Sequence, residues 1–307
     1  MSTLRYLHVD VFTNRALEGN QLAVFPEPGN IDTAMMQAIT REMNFSECTF
    51  IFPPERGGGV KMRIFTPGEE LPMAGHPTIG STFALAAEGT IQRGQKDFIF
   101  ELGIGPTPVS LEWSGDALSF AWMTQPLPTF GGIIADRGAL AGAVGVNLSD
   151  LATELPAQVV SCGVPFLFVA LTSRQAVDAV SIDRKALARC AKDSGVEELP
   201  VFFFTTEGKQ ESGAAQTVYS RMLAPSFGVG EDPATGGASG PLGCYLLQYK
   251  VVTPEAARNI LSLQGVLMKR PSRIHISIDS EDRQITRVRV GGRSVLVGHG
   301  VLALNTD

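Results

Sequence analysis

The chain predicts an α+β fold made of two similar halves, each a sheet wrapped around one central helix. Three observations carry that expectation. Strand-like stretches outnumber helical ones and lack the regular alternation that a doubly wound sheet requires. The length, 307 residues, is enough for a large core and fits two domains. Two phrases nearly repeat: MRIFTP from Met62 followed by HPTIG from His76, and SRMLAP from Ser220 followed by DPATG from Asp232. Each copy reads as a strand, an acidic loop containing glycine, and a helix opened by a polar side chain, Pro and small residues.

Period-two alternation or short apolar runs place strands at residues 4–12, 21–25, 48–52, 60–65, 97–102, 107–113 and 117–123. A first helix spans 32–43, with Asp32 as N-cap and an apolar stripe through Met35, Met36, Ile39 and Met43. A second starts at His76, with Pro77 in its first position, and stops near Gly89. Residues 125–145, rich in Pro, Gly and Ala, form the crossing into the second half. Strands resume at 158–160, 166–171, 201–205 and 217–222, and helices fall at 183–192, after Pro233, and at 253–261. There Thr253, Pro254 and Glu255 form a compact start signal. Strands at 273–278, 285–290 and 295–304 close the chain.

Composition removes several function classes. The formal charge is −6 and the 25 basic residues are scattered, which argues against a nucleic-acid surface or an anionic membrane as partner, though not against a locally bound anion. Residues 5–12 already alternate like a strand, so no signal peptide is expected, and the most apolar stretch, 164–171, is too short to span a bilayer. Cys48, Cys162, Cys190 and Cys244 are widely spaced without a CxxC pair and read as reduced thiols of a cytoplasmic protein. No GxGxxG leads from a strand into a helix, so no dinucleotide cofactor is expected. His8, His275 and His299 lie apart in strand patterns without metal-ligand spacing, and Ser46 and Ser239 lack a nucleophile-elbow context.

The candidate site residues cluster at the two helix starts. Gly75 and His76 stand where the first central helix begins; a helix starting at Pro77 would aim the amides of Thr78 and Ile79 at a pocket beside the imidazole. The same histidine also reads as a plain N-cap. Asp232 takes the equivalent place in the second copy, followed by Pro233, Ala234, Thr235, Gly236 and Gly237, and Asp is itself an excellent N-cap. Gly236, Gly237 and Gly240 weaken that plain reading, because glycines in a helix call for a close approach by backbone or ligand. Two such tips together suggest one shared anion. Glu47, in NFSECTFIF, enters an apolar strand. Partial desolvation there would raise its proton affinity toward the range useful for acid and base work; the alternative is a solvated glutamate at a strand end.

Long segments of the chain resemble the PhzF family, the phenazine-biosynthesis-like isomerases of diaminopimelate epimerase-like fold. They are DVFTNRALEGNQLAVFP from Asp10, REMNFSECTFIF from Arg41, MRIFTPGEELPMAGHPTIG from Met62, EDPATGGASGPLG from Glu231 and QGVLMKRPSRI from Gln264. The resemblance implies two pseudo-symmetric halves, each a β-barrel-like sheet around a central helix: residues 1–126 with 292–307 returning as the last strand, and 127–291, with the substrate in the cleft between them. It places the proton-shuttling carboxylate on Glu47 and substrate contacts on Gly75, His76 and Asp232, with Thr235, Gly236 and Gly237 at the second tip. It further implies no cofactor, no metal and a homodimer. In this chain Gly237 stands where the family commonly has Ser, which bears on substrate identity more than on reaction type, and Met73 replaces a common Phe.

The expected function is a cofactor-independent isomerase that moves a proton between carbons of a small unsaturated carboxylic acid, with Glu47 taking and returning the proton. Two other readings stay open. One is an amino-acid racemase or epimerase of the same fold, which would need an acid on each side of the carbon; none of the four cysteines stands at 75–80 or 232–237. The other is a non-catalytic carboxylate-binding protein on the same scaffold.

Overall fold

The computed structural model describes residues 2–208, 210–225, 229–282 and 284–304. The chain divides into two compact units, one running to Thr124 and resuming at Val290, the other spanning Gln125–Arg289. Among the described residues, no helix is long and apolar enough to cross a membrane.

The first unit runs β1 (Ser2–Val11), β2 (Asn20–Phe25), α1 (Thr33–Met43), β3 (Glu47–Phe52), β4 (Val60–Phe65), β5 (Glu70–Leu71), α2 (Gly75–Ala87), β6 (Asp97–Leu102), β7 (Gly105–Ser114) and β8 (Ala117–Gln125). Helix α1 begins where Asp32 accepts the Met35 amide at 2.8 Å and ends at Asn44 in the left-handed region, φ 52°. Helix α2 is different in kind. Its residues are almost all apolar or small, so no face suits water, and it is buried from Gly75 to Thr82 and again at Ala84 and Leu85. Gly80 permits that burial, since a Cβ there would lie 2.6 Å from both Leu22 Cδ2 and Val11 Cγ2.

The second unit runs β9 (Thr129–Ile134), α3 (Arg137–Val144), β10 (Ala157–Ser161), β11 (Pro165–Ala170), α4 (Arg174–Ala179), α5 (Arg184–Asp193), β12 (Val201–Thr205), β13 (Gln216–Ala224), β14 (Val229–Asp232), α6 (Gly236–Gln248), α7 (Pro254–Ala257), β15 (Ile260–Gln264), β16 (Ser272–Glu281) and β17 (Gln284–Gly292). The chain then ends in β18 (Ser294–Leu304), which lies antiparallel to β1 with Ser2 opposite Leu304. Helix α6 is buried from Gly236 through Leu246 and packs into a core with Phe168, Phe202, Phe204, Ile276 and Ile278.

The two units share one order of strand pairing. In the first, β1–β2 is antiparallel, β2–β3 parallel, β3–β4 and β4–β5 antiparallel, β4–β6 parallel and β6–β7 antiparallel. In the second, β10–β11, β11–β12, β12–β13, β13–β14, β13–β15 and β15–β16 repeat that series sense for sense. The mixed sheets and single buried helices make the fold α+β, as the sequence predicts.

The registers correct the alignment of the two copies. Ile64 faces Leu71 and Met222 faces Asp232, so Asp232 matches Leu71 and not His76. Ala74 and Thr235 are the N-cap positions of α2 and α6, which pairs Gly75 with Gly236 and His76 with Gly237. Close packing agrees: a Cβ on Gly103 would come within 2.8 Å of Pro72, and one on Gly265 within 2.6 Å of Pro233. The shared letters of HPTIG and DPATG lie five residues out of register, because Pro and small residues occur both before and inside these helix starts.

Other expectations change too. Helix α2 starts at Gly75, so Pro77 lies inside its first turn, and Thr235, not Asp232, occupies the N-cap position of α6. The crossing at 125–145 contains β9 and α3. The helix expected at 253–261 is the single turn α7; Ile260 and Leu261 instead begin β15, paired parallel to β13. The start signal there is real, with Thr253 accepting the Ala256 amide at 3.2 Å, but burial of Ile260 at the sheet overrides helix continuation.

Candidate active site

Glu47 is the first residue of β3 and sits opposite Leu22 of β2, near the tip of α2. Its Oε2 lies 3.0 Å from His76 Nδ1, with the two side chains 15% and 3% exposed. The contact is an ion-pair approach rather than an aligned hydrogen bond, since Oε2 finds no hydrogen-bond partner. The imidazole is held from β2. Its Nε2 faces the Gln21 carbonyl at 3.3 Å, and Nδ1 lies 3.4 Å from Asn20 Nδ2.

This geometry fixes one proton of the imidazole. A carbonyl can only accept, so Nε2 carries a hydrogen and donates it to Gln21. Nδ1 is then the variable position, facing Glu47. A proton on Nδ1 gives an imidazolium beside a carboxylate; a proton on Glu47 gives a neutral acid beside a neutral imidazole. Beside them the helix starts at Gly75, whose amide has no acceptor within α2, and the helix dipole favours an anion at that tip.

The second unit carries the other set. Asp232, 5% exposed, ends β14, and its Oδ2 accepts from Thr235 Oγ1 at 2.6 Å. Gln264, fully buried at the end of β15, accepts the Thr235 amide at 3.0 Å and donates to the Asp232 carbonyl at 2.8 Å and to Thr235 Oγ1 at 2.9 Å. Gln125 donates to the Gly236 carbonyl at 3.0 Å. Within α6 the first bonds run from Ala238 and Ser239 to the Thr235 carbonyl, so the Gly236 and Gly237 amides have no acceptor inside the helix.

The glycines divide by cause. A side chain on Gly240 would collide with Gln125 Oε1 and lie 2.8 Å from Val288, so packing alone explains it. A Cβ on Gly237 would meet only the Phe166 ring at 3.7 Å, an ordinary contact, and packing does not require glycine there.

The residue before each site strand's end forms an ion pair. Arg221, 8% exposed, holds Glu231 through Nε and Nη2 at 2.9 and 2.8 Å and donates from Nη1 to the carbonyls of Val177, Asp178 and Val180. The hydrogen bonds that Arg221 donates to Glu231 raise the Arg221 pKa further above its ordinary value. Arg63 and Glu70 repeat the pair in the first unit at 2.7 and 2.6 Å, on a more exposed surface.

The cysteines are all buried, and none stands at the start of α2 or α6. Burial pushes the Cys48 thiol up to about 12. Cys162 and Cys244 lie 3.9 Å apart in the α6 core, and hydrogen bonding to Cys162 together with burial raises the Cys244 thiol far above its usual value. Neither thiol is suited to acid–base work near neutrality. Among the described residues no cluster of His, Cys, Asp or Glu could hold a metal.

The structure brings Glu47, Gly75 and His76 together in one unit, and Asp232, Thr235, Gly236 and Gly237 in the other. The sequence reading missed Asn20, Gln21, Gln125 and Gln264 as partners. The available signal for Asn20, Gln125 and Gln264 was a buried-type amide beside or at the end of an apolar run, as in LSLQG and GNQLAVF; Gln21 serves through its backbone carbonyl, which no side-chain pattern marks.

The sequence model described as phenazine biosynthesis-like protein, PhzC-PhzF, matches residues 9–300. A trans-2,3-dihydro-3-hydroxyanthranilate isomerase of Pseudomonas fluorescens is 36% identical over 299 residues, covering 97% of this chain and 99% of that protein. A PhzF-family phenazine biosynthesis protein of Bacillus anthracis has a similar structure, with TM-score 0.87 at 22% identity over 99% of this chain and 100% of that one. A hydroxyproline epimerase of Agrobacterium vitis shares the fold, with TM-score 0.65 at 13% identity over 99% of this chain and 93% of that one. The chain is an isomerase and belongs to the PhzF family of phenazine biosynthesis-like proteins.

Proposed function

We propose that the enzyme moves a proton between two carbons of a small unsaturated carboxylic acid, with Glu47 as the one group that takes and returns it. The observation that supports this most is the Glu47–His76 pair: a mostly buried carboxylate 3.0 Å from an imidazole whose other nitrogen is pinned to Gln21. Ionised Glu47 removes a proton from a carbon next to the conjugated system. The neutral acid then delivers it to a second carbon on the same face, and no net proton is gained or lost. His76 stabilises the ionised state before and after the transfer, and proximity replaces a second base.

The repeat supports a single acid. Cys48 faces Phe65 as Val201 faces Leu223, so Pro200 stands at the place that matches Glu47. A two-base racemase would need an acid there or a thiol at a helix tip. We assign substrate binding to Gly75 and His76 in the first unit and to Asp232, Thr235, Gly236 and Gly237 in the second. In each unit the helix-tip amide, at Gly75 or at Gly236, suits a carboxylate, and Asp232 suits an amine or hydroxyl substituent. The relative named above makes trans-2,3-dihydro-3-hydroxyanthranilate the first acid to try. The family resemblance also leads us to propose a cytoplasmic homodimer, to be measured by light scattering.

The test is turnover of that acid in deuterium oxide by wild type and Glu47→Gln. Gln places an amide N–H toward neutral Nδ1, so the variant keeps its fold. A loss of turnover of roughly 10³- to 10⁴-fold is expected, the upper part of the range for acid–base catalysis, because nothing at Pro200 substitutes. Glu47→Gln turnover within tenfold of wild type refutes the assignment.

A further inference from the structure

In the second unit, three polar side chains close on one another: Gln264, Thr235 and Asp232. The first unit shows what the fold itself needs at these places. Val60 faces Phe100 as Val218 faces Ser262, so Leu102 matches Gln264, while Leu71 matches Asp232 and Ala74 matches Thr235. The same strand–loop–helix junction therefore forms with Leu, Ala and Leu, side chains that make no hydrogen bond. Burying a polar triad in place of an apolar one gains a compact domain little, and each group carries a desolvation cost unless every bond is made.

The direction of the bonds is determined. Gln264 must present its oxygen to the Thr235 N–H and its nitrogen to the Asp232 carbonyl, and the opposite orientation would set donor against donor and acceptor against acceptor. The same amide nitrogen donates to Thr235 Oγ1, so the lone threonine hydrogen is left for Asp232 Oδ2, at 2.6 Å. We infer that Gln264 is a positioning residue that acts through the Thr235 hydroxyl to fix the rotamer and hydrogen-bonding direction of Asp232 for substrate. This rests on the reading of Asp232 as a substrate-orienting group.

Crystal structures of Gln264→Leu and Thr235→Val test the inference without any substrate. Gln264→Leu installs the first unit's residue. The expected result is a native α6 backbone with the Thr235 hydroxyl no longer within hydrogen-bond distance of Asp232 Oδ2. An unchanged Thr235–Asp232 bond in Gln264→Leu overturns the inference. A Gln264→Leu chain that does not fold, beside a Thr235→Val chain that does, also overturns it, since Gln264 is then structural.

Kinetics supply the second arm. With trans-2,3-dihydro-3-hydroxyanthranilate, Gln264→Leu and Thr235→Val are each expected to lower kcat/KM about tenfold, with Thr235→Ser near wild type. The double variant should lose no more than Thr235→Val alone, because one effect passes through the other. Losses that multiply contradict the relay. Wild type inert toward this acid bears on the substrate reading alone, and the crystallographic arm still decides the relay.

Discussion

The repeated arginine–glutamate pair lets one interaction be measured in two settings within one chain. Glu70→Gln and Glu231→Gln make the same change at matching places. Arg63 and Glu70 have side chains 23% and 37% exposed, whereas Arg221 and Glu231 are 10% and 18% exposed. At the first site water replaces the lost charge, and exposed pairs contribute about 0–1 kcal/mol. At the second, Gln keeps one acceptor for Arg221, but the guanidinium stays buried without a counter-charge. Removing one member of a buried pair costs about 3–5 kcal/mol, and the partial exposure and retained acceptor put Glu231→Gln near 3 kcal/mol. At roughly 2 °C per kcal/mol for a chain of this size, differential scanning calorimetry should show a fall of about 6 °C for Glu231→Gln and no more than 2 °C for Glu70→Gln. Equal shifts would refute the reasoning that burial sets the difference.

Other expectations follow from the same geometry. Gly243→Ala places a Cβ 2.6 Å from Ile276 Cγ2 and 2.8 Å from Ile278 Cγ1, so overpacking should cost about 1–3 kcal/mol in urea unfolding, while Gly237→Ser should be neutral within about 1 kcal/mol. With every cysteine buried, native protein should show no rapidly titrating thiol toward a disulfide reagent, and four should appear in denaturant; a fast native thiol would reopen the thiol racemase reading. Burial alone would raise the Glu101 pKa, but hydrogen bonds from the amides of Glu55, Gly58 and Arg56 hold it below the ordinary value. A depressed folded value contributes stability above the unfolded value near pH 4.3, lost as pH falls through the folded one. Urea midpoints of wild type and Glu101→Gln should therefore differ at neutral pH and converge in acid.

The parts of the fold written in side-chain periodicity were legible in sequence. Leu4 to Val11, Val60 to Phe65 and the helix of apolar and small residues after Gly75 announce buried strands and a buried helix, since alternation and hydrophobicity are local properties. The repeat was legible as a phrase but not in register: LPMAGH and DPATGG align through strand pairing and helix caps, which are not local. Strand β15 was hidden because Thr253, Pro254 and Glu255 signal a helix start, whereas the stop depends on pairing of Ile260 with Gln216 of β13. Glu47, His76 and Asp232 stood out as ionisable groups beside apolar runs and helix starts. Gln264 did not, because an uncharged amide gives no sign of its bonds until the strand that carries it is placed.

The pairing of β1 with β18 ties the order of folding to the direction of synthesis. The second unit is continuous, and all its strands leave the ribosome before Ser294. The first unit waits for the last eleven residues of β18 to line β1, although most of it is made earlier. Until residues 294–304 emerge during translation, β1, in the unit that bears Glu47 and His76, therefore lacks its partner on that edge.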